Sequence, residues 1–148
     1  MNTKSTILYS ILLTIVAITI SCENVNKAEL QKIEKEEIYV NQFKLTYFRL
    51  LLSKSYNNSN SVRDIISNDH SGFTEPILTE IDFKLIDSLT TIDNQRLITD
   101  SSEGHLRAEG AQGKRPLGFI MDILTSKWLD SLSKSRMKIS GLSDNWSD

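Results

Sequence analysis

The sequence predicts an all-α protein: a small helical bundle of about three long helices plus one or two short ones, after an N-terminal signal peptide. Three observations lead there. Apolar residues recur at spacings of three and four in three separate stretches, cap-like residues stand at the starts of the later stretches, and no segment sustains the alternation of a strand.

The first stretch develops from Leu30. Val40, Phe43, Tyr47, Phe48 and Leu51 fall on one stripe, while Lys32, Glu34, Lys35, Glu36 and Glu37 occupy the earlier turns, so a helix is expected from about Ala28 to Ser53. It should stop in SKSYNNSNS, residues 53–61, which is too polar to bury. Ser61 with Asp64 three residues on has the form of a capping box for a short helix carrying Val62, Ile65 and Ile66. NDHSG at 68–72 reads as a turn.

Thr79 with Asp82 is a second cap-like start. The helix it opens runs to about Ile98, with Leu85, Ile86, Leu89, Ile92, Arg96 and Leu97 on its apolar face. Pro116 fits the first turn of a third long helix, where its missing N–H has no partner to lose. That helix carries Leu117, Ile120, Met121, Leu124, Trp128 and Leu132 in three-and-four spacing, so Trp128 is expected in the core and Trp146 outside it. The helical domain is assigned to residues 30–137, followed by a polar tail, 138–148, and preceded by a tether, 22–29.

Ahead of the bundle stands a segment of another kind. Lys4 is the one charge before an apolar run from Ile7 to Ile20, and the only cysteine, Cys22, follows directly after Ser21. About 14 residues make a helix of roughly 21 Å. A bilayer core of about 30 Å asks for about 20 residues. Glu23 and Asn24 provide no positive stop-transfer cluster, so residues 1–21 have the layout of a cleavable secretory signal.

Thr19, Ile20, Ser21 and Cys22 resemble the lipobox of bacterial lipoproteins. Ile20 and the small Ser21 match its pattern, whereas Thr19 stands where a leucine is usual. The resemblance implies that the Cys22 thiol is acylated with fatty acids such as palmitate and that the chain is then cut before it. Cys22 would become the anchored amino terminus of an envelope protein, in the outer rather than the inner membrane, facing the periplasm or cell surface. More than one acyl chain gives stable anchoring where a single chain is marginal. A lone cysteine also leaves no internal disulfide to staple the domain.

Removal of residues 1–21 leaves 127 of the 148 residues, with 16 cations against 19 acids and a formal charge of −3. That is enough chain for one domain. Its mild acidity, without a basic stripe, argues against a nucleic-acid partner.

Four of the six glycines fall in GHLRAEGAQGKRPLG, residues 104–118. Arg107, Lys114 and Arg115 supply positive charge, Gly110 and Gly113 let backbone N–H groups approach a ligand, and a helix begins immediately after. This is the composition of an anion- or acidic-partner-binding edge. It is not a phosphate loop, because Ala108 stands at the first glycine position and Arg115 replaces the magnesium-binding Ser or Thr. A connector whose glycines ease a tight interhelical path is the plainer explanation.

His70 and His105, with Asp69, Glu75, Glu103 and Glu109, are too scattered for a usual zinc site, so no metal or other cofactor is expected. Ser71 lacks the elbow of a serine hydrolase. The carboxylates Glu36, Glu37, Asp82 and Asp87 are expected as solvated charge on helix faces. The sequence therefore favours a non-enzymatic binding module held at a membrane through Cys22, with a protein or envelope-polymer partner; an immunity-type protein is one form. The alternative is a small envelope hydrolase using His70, His105 and Glu109.

Overall fold

A computed structural model describes residues 3–72, 75–102 and 113–140, with side chains described at Lys27 and from Glu29 onward in those ranges. Among the described residues there are five helices and no strand: α1 (Thr3–Ser55), α2 (Asn60–Ser67), α3 (Glu80–Ser102), α4 (Pro116–Leu124) and α5 (Lys127–Ile139). The all-α expectation holds. The chain divides into two compact units, residues 1–35 and 36–148. The first is the amino-terminal part of α1, whose helix assignment shows no start at Ala28. No helix among the described residues is long and apolar enough to cross a membrane.

The second unit is built around the carboxy-terminal part of α1. Tyr39, Val40, Phe43, Tyr47, Leu51 and Leu52 are buried, and from Gln42 to Ser55 no residue is exposed. A helix covered on every side is a central one. Val40, Phe43, Tyr47 and Leu51 stand inside as their spacing predicts, with Phe48 packed partly buried against the cluster. α1 ends in a Schellman arrangement: Asn58 N donates to Ser53 O at 2.8 Å and Asn57 N to Lys54 O at 3.1 Å. Asn57 and Asn58 adopt φ of 56° and 54°, the left-handed region that asparagine tolerates better than most residues.

The short α2 begins earlier than expected. Ser59, not Ser61, is its N-cap, and no side-chain bond caps it, so the Ser61–Asp64 capping box does not form. The left-handed pair at 57–58 turns the chain, and Ser59 N reaches back to Tyr56 O at 3.1 Å, which places the helix start at Asn60. Ile65 is exposed, and Val62 is the α2 residue that packs against the core.

At α3 the capping expectation holds. Thr79 N donates to Asp82 Oδ2 at 3.0 Å while Asp82 N donates back to Thr79 Oγ1 at 3.2 Å, so each satisfies an amide the helix start would otherwise leave open. Ile86 and Leu97 are buried and Leu85 and Leu89 are partly so, but Ile92 and Arg96 face out. The core stripe runs instead through Asp82, Ile86, Thr90, Asp93 and Leu97. Asp82 is thus not the solvated charge expected of it.

The third long helix is two helices. Thr125 Oγ1 donates back to Met121 O at 2.8 Å, and Ser126 closes α4 by donating to Ile123 O at 2.6 Å. The same Ser126 hydroxyl accepts from Leu129 N at 3.3 Å and so opens α5. Serine and threonine hydroxyls compete for helical carbonyls in this way. The break resets the helical phase: Ile120 stays inside, but α5 buries Leu129, Ser133 and Met137. Trp128, 48% exposed, is therefore not in the core, and Leu117 and Met121 face outward too.

Candidate interaction surface and buried polar network

The most elaborate chemistry inside the bundle is a set of polar groups on the inner face of α3. Asp82 has no exposed surface. Its Oδ1 accepts from Arg136 Nε at 3.0 Å and lies 2.9 Å from Arg136 Nη2, while Thr79 occupies Oδ2. Burial opposes the charge on Asp82, but the bonds from Thr79 and Arg136 outweigh it and hold the carboxyl below the ordinary carboxylate range. Burial first, then the charge of Asp82, raises the pKa of the adjacent Tyr39 phenol, whose hydroxyl is buried without an aligned hydrogen-bond partner.

Farther along α3, Asp93 is almost fully buried and accepts a hydrogen bond from the Tyr47 hydroxyl. Burial, and then that bond to a carboxylate, push the Tyr47 pKa up, so the phenol is a fixed donor. Arg96 Nη1 bonds the other oxygen of Asp93 at 2.8 Å with its own side chain mostly in solvent. Lys54 reaches from α1 to Asp87 Oδ1 at 2.7 Å, to Asp87 O at 2.6 Å and to the hydroxyls of Thr90 and Thr91. Apart from the Tyr39 hydroxyl these groups satisfy one another, and they pin α3 to α1 through Tyr47 and Lys54 and α5 to α3 through Arg136.

The turn at 68–72 is clamped to α1. Arg49 Nη2 donates to Asp69 Oδ2 at 2.8 Å and to Ser71 O at 2.8 Å, while Ser71 N and Oγ donate to Asp69 Oδ1. The Ser71 bond and then Arg49 lower the Asp69 pKa to about 2. Gly72 has φ of +106°, and a Cβ there would stand 2.7 Å from Leu45 Cδ2 and 2.8 Å from Gln42 Oε1. Only glycine both adopts that backbone and lets the turn lie so close to α1. His70 is exposed beside it.

The residues expected to form a binding edge fall into two groups. Arg107 and Gly110, like His105 and Glu109, lie outside the described residues, as do the lipobox side chains through Cys22 and the tail residue Trp146. Gly113 has φ of +99°, a turn conformation natural to glycine, with open space where a side chain would be. Lys114 Nζ donates to Ser55 O at 3.2 Å, which occupies a carbonyl in the last turn of α1. Arg115 precedes α4 and is exposed. Among the described residues no three of His, Cys, Asp and Glu gather as a metal site would require.

Two surface features lay outside the expectations. Ile92, Gln95, Arg96, Thr99 and Asp100 line a shallow groove of about 460 Å³ along the outer side of α3, with Arg96 fixed there by the buried Asp93. The other feature is the outward side of α4 and α5, where Leu117, Met121, Trp128 and Ile139 are exposed. Lys127 and Lys138 stand beside the last two, both exposed and without an ion pair among the described residues. On the flank of α5, Asp130 bonds Lys44 at 2.8 Å and Lys134 at 3.1 Å, and Lys134 also lies 3.7 Å from Glu36. The bonds from Lys44 and then Lys134 hold Asp130 below the usual carboxylate range, and Asp130 in turn raises Lys134. The signal for the exposed Trp128 was present in the sequence as Ser126, a possible N-cap in the middle of an apparently continuous helix.

Comparison of the chain with family models, curated proteins and solved structures finds no match.

Proposed function

We propose that the chain is a lipoprotein of the bacterial cell envelope, anchored through acylated Cys22, whose helical unit acts as a non-enzymatic binding module; an immunity-type protein is one such module. The observation that carries the anchoring is the Ser21–Cys22 junction at the end of a short apolar run. A thiol beside a small residue at the membrane face suits acylation followed by cleavage, and the run is too short for a comfortable span. Support for binding comes from the surface: exposed Arg115 and the exposed Leu117 and Met121 of α4 offer charge and apolar area outside the core.

The test has two parts. Labelled palmitate should enter the wild type and not Cys22→Ala; equal labelling of the two ends the lipoprotein reading. Envelope partners should then be captured on the wild type and lost on a variant with Arg107 and Arg115 changed to Ala. Lys114 is left in place because its ammonium holds the end of α1. Recovery of the same partners by both baits removes the connector from the binding site.

A further inference from the structure

We propose that the outward face of α5 lies on the anionic phospholipid surface of the leaflet that holds the anchor, an inference that rests on the lipoprotein reading above. Lys127, Trp128, Ser131, Ser135, Lys138 and Ile139 are all exposed, and their three-and-four spacing puts them on one side of the helix. Trp128 and Ile139 are three turns apart, about 16 Å, and point the same way. The serines between them are too short to prop the helix off a flat surface.

Charge selects the occupant. The outward side of α5 carries Lys127 and Lys138 and no exposed acid, whereas Asp82 and Asp93 of α3 are buried and its Glu80 and Asp87 are paired, with Lys84 and Lys54. Lys127 and Lys138 have no acid to pair with among the described residues, unlike Lys134, which Asp130 and Glu36 engage. An anionic surface attracts this side of α5, which gives the unit a preferred orientation over it. Tryptophan and lysines with apolar stems are the side chains that settle at headgroup level. The two large apolar groups stand apart across a polar stretch, which suits a bilayer interface better than the desolvated central cluster of a protein hot spot. The anchor is close in sequence: Glu36, the partner of Lys134, follows Cys22 by 14 residues.

The lipidated chain in a Trp146→Phe background, where Trp128 alone fluoresces, is reconstituted on vesicles of brominated phosphatidylglycerol or brominated phosphatidylcholine. Flotation reads anchoring, and quenching of Trp128 reads docking. Expected are flotation on both and quenching on phosphatidylglycerol alone. In Lys127→Gln/Lys138→Gln the ratio of docked to undocked protein falls about thirty-fold, with the helical spectrum unchanged. Flotation with no quenching on either vesicle, or equal quenching on both, overturns the docking while the anchor stands. Absence of flotation overturns both. Trp128 unquenched by lipid but shielded by an added envelope protein assigns this face to a protein instead.

Discussion

Arg136→Met tests whether the Asp82 cluster is as dry as its geometry says. Methionine keeps much of the stem volume and removes the guanidinium, which supplies both contacts to Oδ1. Asp82, with no exposed surface, retains only its bonds to Thr79 and cannot turn to water. A buried carboxylate stripped of its partner costs about 3–5 kcal/mol. Arg136 in the reverse variant, Asp82→Asn, can shift toward solvent because its side chain is already 15% exposed, so that loss is smaller, about 1–3 kcal/mol. The double variant should lose less than the sum of the two. The acid dependence has a definite sign. The folded-state pKa of Asp82 is depressed. Its contribution is therefore fully present above the unfolded value of about 3.9 and disappears as pH falls through the lower folded value. Urea unfolding of the protein followed by circular dichroism should show the full deficit of Arg136→Met at pH 7. The deficit should narrow in acid, where a protonated Asp82 no longer needs a cation. A deficit below about 1 kcal/mol at pH 7, or one unchanged through the acid range, would refute a dry, charged pair.

Leu129→Ala should cost about 2–5 kcal/mol, and Trp128→Ala beside it clearly less, because the first side chain is enclosed and the second half in water; equal losses by urea unfolding would contradict the α4–α5 break. Gly72→Ala should destabilise by about 1–2 kcal/mol through its left-handed backbone and the crowding at Leu45 and Gln42, with a corresponding drop in Tm. The Asp69 carboxyl should titrate near pH 2 by nuclear magnetic resonance, and Ser71→Ala should move its midpoint up toward the ordinary range. Any stability drawn from that turn is present above the ordinary aspartate pKa and lost as pH falls through about 2.

Most of the fold was legible because amphipathic spacing and caps are local signals. The α1 stripe and the Thr79–Asp82 box needed no information from elsewhere in the chain. What escaped was either masked by coincidence or carried by distant partners. The α4–α5 break was masked, since Leu124, Trp128 and Leu132 continue the rhythm of α4 across it, and Leu129 at the third helical position gives no capping-box acid to betray Ser126. Asp82 and Asp93 look like surface charge because the groups that make them burial-worthy, Arg136 and Tyr47, lie 54 and 46 residues away. The cationic face of α5 was hidden for a related reason: Lys127, Trp128, Lys138 and Ile139 share a side by spacing alone, but without the break at Ser126 that side is assigned to the core along with Trp128.

The central position of α1 has a consequence for how the chain is made. α1 leaves the ribosome before the other helices, yet part of what covers it arrives much later: Asp130 of α5 meets Lys44 across 86 residues. Closing such long intervals is slow compared with forming a single helix. Until α5 emerges, the aromatic stripe of Tyr39, Phe43 and Tyr47 has no finished surface to pack on. A unit whose folding waits for α5 keeps that stripe uncovered while α2, α3 and α4 are being made. The same delay leaves that stripe open to holding factors until release, so truncation within α5 should trap the chain with them rather than yield a smaller folded domain.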